Sequence, residues 1–346
     1  MSKNFKKIYL GIIILLCIIA VIMIYVLVKN VNRNENQNTE LDNNIIHIEK
    51  ISSYNNPIVP EGFKKIETSS ASWEIKEGIP IGWNDGLVIE DENGNQFVWV
   101  PIDIEHMEFE DRDLKYNYAY NKDDMDYTDK DDLQILKYEG FYISRYEAGI
   151  PKELSENVKE FSKETNNVQG IPVSKKNQIV WNYIDWNMAK NNATKMYQNE
   201  FVESDLITTK QWFCTMKWLE KKGYDIVNSI DWGNYSNNNF KFTGYYSTDY
   251  GNTYTYGENV MKQTYNMILS TGASERNKSN NIYDLAGNVS EFVNVHKWIN
   301  SYYGEEESYR NWGGYYDNIS HYSAASSMSI STANSRQGFR IVLYLK

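Results

Sequence analysis

Cysteine is nearly absent from this 346-residue chain, which has only Cys17 and Cys214. Cys17 lies inside an apolar run, so no disulfide framework can staple the folded body, which must stand on its core alone. Histidine is scarce as well. His47, His106, His296 and His321 show no pairing at helical spacing, so each reads as a solvated or loop residue rather than a metal ligand. Basic charge is thin outside the N-terminus. Lys3, Lys6, Lys7, Lys29 and Arg33 precede residue 36 with only Glu35 against them, leaving 30 basic and 45 acidic residues beyond, a net of −15. A body that acidic repels phosphate backbones, which excludes nucleic acid as a partner. No internal repeat is visible.

What is present argues for a globular body. Apolar residues make up 41% and aromatics 14%, with 28 Tyr and 10 Trp, which rules out wholesale disorder. The use of Asn, Ile, Lys and Tyr suggests a low-GC bacterium. Residues 1–7 are a basic N-terminus. Ile8 to Val28 carries no charge, and at about 1.5 Å per residue it spans roughly the 30 Å of a bilayer core. A cleaved signal peptide would have a shorter apolar region and a small-x-small cleavage site, neither of which is found, so an uncleaved anchor is expected. The excess of Lys before the span places the N-terminus inside and the C-terminal domain outside, giving a single-pass protein of the cell membrane. Cys17 lacks a preceding small residue and reads as a membrane-buried thiol rather than a lipidation site.

Residues 29–56, rich in Asn, read as a flexible stalk, and a compact domain is expected over 57–346. Gly86 to Glu90 and Gln96 to Val100 predict strands joined by the Asp91-Glu-Asn-Gly-Asn95 turn. Residues 103–132 carry twelve acidic and four basic residues and read as a solvated insertion. The Asp123-Asp124-Met-Asp126 portion lacks the central Gly and closing Glu of a calcium loop. Gly140 to Glu147 resumes a strand pattern. Two helices follow: one capped by Asp185 with Trp186, Ala189, Ala193, Met196 and Tyr197 on one face, the other opened by a Thr208/Gln211 capping box with a stripe of Trp212, Met216 and Leu219. Cys214 in that helix reads as a small packing residue. After Gly223 the chain reads as loop-rich with short strands.

Several strings, in order, resemble the formylglycine-generating enzyme family, also called the sulfatase-modifying-factor domain, a variant of the C-type lectin fold. They are Gly140 to Glu147, Pro172-Val173, the Trp186 helix, Leu206-Ile-Thr-Thr-Lys-Gln-Trp212, Trp232-Gly233-Asn234, Asn281-Ile-Tyr-Asp-Leu-Ala-Gly-Asn-Val-Ser-Glu291 and Gly338-Phe-Arg340. The resemblance implies an α+β fold: an irregular C-type lectin-like domain with two packing helices and short antiparallel strands, behind one transmembrane helix. It also implies a calcium site of the Asp284 and Glu291 carboxylates with the Gly287 and Val289 carbonyl oxygens, an all-oxygen set that suits a hard cation. An ordinary polar turn explains the same residues equally well. A second calcium site of the family has no clear counterpart.

The family's oxidase chemistry uses a copper-binding cysteine pair. The corresponding positions fall near Asn318 and Ser323, and no Cys follows Cys214. Amide and hydroxyl groups cannot stand in for thiolates toward copper(I), so copper is not expected. Three expectations follow. The first is a non-catalytic binding module for a protein, peptide or glycan, with Trp298, Tyr302, Tyr303, Tyr309, Trp312, Tyr315, Tyr316 and Tyr322 as the contact set. The second is an oxidoreductase of the same family with a non-standard site, and the third an inert envelope assembly component.

Overall fold

The computed structural model describes residues 53–103, 134, 137–157, 166–263, 266–294, 298–300, 306–318, 323–325, 327–330 and 333–346. The chain divides into two units, Met1–Glu49 and Lys50–Lys346. The basic N-terminus, the expected anchor at 8–28, most of the stalk, nearly all of the acidic insertion and all four histidines lie outside the described residues. Among the described residues no helix is long and apolar enough to cross a membrane.

The second unit is α+β, with few helices and mostly antiparallel strands. In chain order it has β1 (Phe63–Ile66), β2 (Ile75–Lys76), β3 (Ile79–Pro80), β4 (Val88–Asp91), β5 (Gln96–Pro101), β6 (Gly140–Ser144), α1 (Lys152–Asn157), α2 (Trp186–Met196), β7 (Val202–Leu206) and α3 (Thr209–Lys221). Then follow β8 (Lys241–Ser247), β9 (Thr255–Met261), β10 (Ile268–Leu269), β11 (Lys278–Ser279), β12 (Ile282–Tyr283), β13 (Ser290–Phe292), β14 (Trp298–Asn300), β15 (Glu306–Trp312), β16 (Ser327–Ile330), β17 (Gln337–Phe339) and β18 (Ile341–Leu345).

A six-stranded sheet in the order β1-β4-β5-β6-β18-β7, antiparallel throughout, organises the core. Successive side chains on a strand point to opposite faces. Val88, Val98, Phe141, Ile143 and Val342 join one apolar cluster with Trp212, Met216 and Leu219 of α3. Their neighbours Ile89, Phe97, Trp99, Tyr142 and Leu343 join another with Ala189 and Ala193 of α2. The sheet is thus buried on both faces, which is why Phe97 to Val100 within β5 and Ile341–Leu345 read as unbroken apolar runs instead of alternating. A second sheet, β14-β15-β13-β17 with β16 on β15, includes the parallel pair β13–β17, and a third runs β10-β8-β9.

Local signals explain the element ends. The predicted hairpin forms with Val88 opposite Val98 and Glu90 opposite Gln96. Its turn is closed by the Asp91 carboxylate, which accepts from Asn95 N at 2.7 Å and Asn95 Nδ2 at 2.9 Å, while Gly94 takes φ +84°. Asp185 caps α2 by accepting from Met188 N at 2.8 Å. The capping box of α3 is complete: Thr208 Oγ1 accepts from Gln211 N at 3.1 Å, and Gln211 Oε1 accepts from Thr208 N at 3.0 Å. Both residues are buried, so neither lost bond is replaced by bulk water. Thr208→Ala is expected to lower stability by about 1–2 kcal/mol in denaturant unfolding, the upper range for a cap; an unchanged midpoint would refute this role.

Some expectations change. Helix α3 buries Phe213, Cys214, Thr215 and Trp218 besides the predicted stripe, because structure packs on more than one of its sides. The final residues of the expected stalk are docked on the body: Tyr54 O accepts from Trp99 Nε1 at 3.0 Å, and the Tyr54 ring meets Trp83 edge-on at 5.1 Å. Strand β7 and helix α1 fall where no regular element is predicted, and β8 and β9, at seven residues each, are longer than the short strands expected after Gly223.

Candidate functional site

The Asn281 to Glu291 segment occupies the centre of the body. Asn281, fully buried at φ +68°, donates from Nδ2 to Gly86 O (2.9 Å) and Thr68 Oγ1 (3.0 Å) and accepts from Ser70 Oγ (2.9 Å). It fastens an N-terminal strap to the core. Gly287 adopts φ +74° beneath Asn234, and a Cβ there would lie 2.2 Å from Asn234 O, so only glycine fits. Asn288 bridges four groups: Nδ2 donates to Glu147 Oε2 (2.6 Å) and Leu269 O (3.1 Å), while Oδ1 accepts from Asn234 Nδ2 (3.0 Å) and Leu269 N (2.9 Å).

Glu291 and Arg340 are both buried, with Arg340 Nε 2.8 and 2.9 Å from the two carboxylate oxygens. The guanidinium also donates to Ser144 O at 2.9 Å and Tyr283 O at 2.8 Å. Glu147 accepts from Val289 N at 3.2 Å, besides Asn288. Asp284, at φ +60°, accepts from Gly272 N on Oδ2 at 2.7 Å, while its Oδ1 is buried without a partner.

Three buried carboxylates therefore share the surroundings of one guanidinium. Burial, then the Asp284 and Glu291 charges, push Glu147 well above the usual carboxylate range. Burial lifts Asp284 to about 7 against the pull of Gly272 N and Arg340. Glu291 is also raised by burial, with Arg340 drawing it back.

The implied calcium set fits only in part. Asp284 keeps an open oxygen that suits a hard cation, but both oxygens of Glu291 are held by Arg340, which already supplies positive charge at that carboxylate. Among the described residues no group of three or more His, Cys, Asp or Glu side chains is arranged to hold a metal ion.

The predicted contact aromatics do not form one surface. Tyr309 is buried and stacked on Trp186 at 4.7 Å, Trp312 lies in the core, and Tyr316 is buried with its hydroxyl 2.9 Å from Ser335 Oγ. In a domain of short irregular strands such rings fill volume that longer elements would otherwise occupy. Tyr315 is half-buried beneath Arg336, 5.0 Å away. The side chain of Trp298, and Tyr302, Tyr303 and Tyr322 entire, lie outside the described residues. Asn318, at one expected thiol position, is buried, and Ser323 at the other is half-buried. Cys214 is buried in the core.

Exposed rings appear elsewhere. Tyr245, Tyr250 and Tyr256 are 39%, 47% and 52% exposed, on β8, the β8–β9 connection and β9. Alternation along Lys241–Ser247, followed by the Asp249-Tyr250-Gly251 turn, is the signal that marks them in the sequence.

No family model matches the chain, and no curated protein does. Among solved structures, one titled Crystal Structure of CarF is 17% identical, covering 60% of this chain and 87% of that one, with a TM-score of 0.38. So slight a likeness carries no argument about activity.

Proposed function

We propose that this chain is a membrane-anchored, extracytoplasmic, non-catalytic binding module on a scaffold similar to the formylglycine-generating enzyme family, with its C-type lectin-like fold. The observation that carries this reading is a division of labour. The polar groups of the 281–291 motif turn inward to tie chain segments together, while large aromatic rings stand exposed on the β8–β9 hairpin. Tyr combines apolar area with a polar tip at low conformational cost, so exposed Tyr rings on a paired ribbon suit recognition. Catalysis by the family's route would need a thiolate pair, and Cys214 is the last cysteine of the chain.

The test is to load the full chain with copper(I), add a cysteine-containing peptide under oxygen, and follow oxygen uptake and aldehyde formation. The expected result is neither. Turnover dependent on stoichiometric copper would replace this reading with that of an oxidoreductase using a non-standard site.

A further inference from the structure

The hairpin with the exposed rings also carries a cationic cleft. In the β8–β9 ladder Tyr245 pairs with Tyr256 and Lys241 with Met261. Lys241, Thr243 and Tyr245 alternate onto one face, so lysine and tyrosine stand about 13 Å apart, four residues at about 3.3 Å each. Met261 and Tyr256 extend that face, at 43% and 52% exposed.

At the Lys241 end opens a cleft of about 670 Å³, lined in part by Phe240, Thr243, Arg276, Ser274 and Asn259. Its charge is unbalanced. The Arg276 guanidinium lies 5.0 Å from the Phe240 ring and donates to the carbonyls Gly233 O (3.0 Å) and Ile230 O (2.7 Å), with the Asp231 charge acting on it from nearby. Fully buried Lys262, 5.6 Å from the same ring, donates only to the Tyr235 and Asn238 carbonyls among the described residues. Burial, and then the Arg276 charge, bring its pKa down to about 8, and it lies behind the cleft rather than in its lining. The Lys241 ammonium has no hydrogen-bond or ion-pair partner among the described residues, although its carbonyl accepts from Ser274 Oγ at 2.9 Å. The one carboxylate lining the cleft is committed: exposed Glu275 is held by Lys176 at 3.0 Å, Lys278 at 2.9 Å and the Tyr283 hydroxyl at 2.7 Å, which brings its pKa down to about 2 against partial desolvation. A pocket of positive potential thus sits in a body whose net charge is −15.

The occupant must carry an anion at one end and a group that stacks on tyrosine at the other. Strand addition by an acidic peptide is disfavoured, because β9 has a register shift opposite Phe242–Gly244, and Asn259, at φ +51°, gives its N–H to Thr243 Oγ1 at 3.0 Å. A bulge of this kind blunts a sheet edge. Hydroxyl and amide groups at Thr243, Ser274 and Asn259 suit a ligand dense in hydroxyls, and the negative face of a Tyr ring attracts the polarised C–H face of a sugar.

We propose that this cleft and the adjoining tyrosine face bind an acidic saccharide, its carboxylate between Lys241 and Arg276 and a sugar ring on the Tyr245–Tyr256 pair. The assignment rests on the reading of the chain as a binding module and names its ligand class. Calorimetric titration of the full chain with a glucuronic acid tetramer, a glucose tetramer and a tetraglutamate peptide tests it. The acidic sugar is expected to bind best, weaken as salt is raised, and lose about tenfold in affinity in Lys241→Glu and in Tyr256→Ala, both at exposed positions. Equal binding of the neutral sugar, tighter binding of the peptide, no binding, or an unaffected Lys241→Glu would overturn it. Failure here together with silence in the copper assay would strike the ligand and leave the binding module standing.

Discussion

Arg340→Met is expected to destabilise the body by about 3–5 kcal/mol in urea unfolding, enough to unfold most of a marginally stable domain at 37 °C. The guanidinium holds both oxygens of Glu291 and the carbonyls of Ser144 and Tyr283, all away from water. Removing it leaves a buried carboxylate without its counter-charge and two carbonyls without donors. The cost is that of an uncompensated charge more than the worth of the pair. The double variant Arg340→Met, Glu291→Leu should therefore recover most of the loss, since apolar replacements of a whole buried pair are often neutral. A single variant that loses less than about 1 kcal/mol would show that Arg340 does not neutralise this cluster.

Stability is also expected to fall as pH rises from 5 to 7, opposite to ordinary acid denaturation. Asp284 ionises near 7 in the fold against 3.8 as a free group. The folded state then binds more protons than the unfolded one across that interval, so the stabilisation is complete below about 4 and lost through 7. Two pH units at about 1.36 kcal/mol each give a decline of about 3 kcal/mol from Asp284, and Glu147 is shifted in the same direction. Glu275, held near 2, acts oppositely, but only below its ordinary value of 4.5. Lys262, brought down to about 8 from 10.5, makes stability climb again above pH 8. The profile should have a minimum between pH 7 and 8, and Asp284→Asn should flatten its acid side and stabilise the protein at pH 7. A parent stability that rises steadily from pH 5 to 7 in the presence of a chelator would refute the assignment. A decline that calcium reverses at pH 7 would show that a cation at Asp284 replaces the proton.

Much of the framework is legible in the sequence because it is encoded locally. Thr208 with Gln211, Asp185 before Trp186, and the Asp91 to Asn95 turn announce their elements through short-range hydrogen bonds. The β8–β9 pair is harder to see, since its residues face mainly solvent and leave only weak alternation. The fate of Glu291 is invisible locally: its partner Arg340 comes 49 residues later, and only the fold brings the two together. Burial of Tyr309, Trp312 and Tyr316 escapes sequence reasoning because tyrosine and tryptophan serve equally as filler and as recognition groups. That alternation and the turn at Asp249 to Gly251 are the local marks of the exposed Tyr245, while the exposure of Tyr256 depends on its pairing across the ribbon.

The arrangement of the main sheet bears on how the body would respond to tension. Its first strand, β1, is an outermost member joined to one neighbour through the four residue pairs Phe63–Asp91 to Ile66–Val88, whereas the last strand, β18, is enclosed between β6 and β7. A tug delivered from the N-terminal direction would first meet the Tyr54 foothold on Trp99 and then that outermost strand, both yielding before the enclosed strands. Such a sequence of release would let the body lengthen under strain while its central layer stays folded.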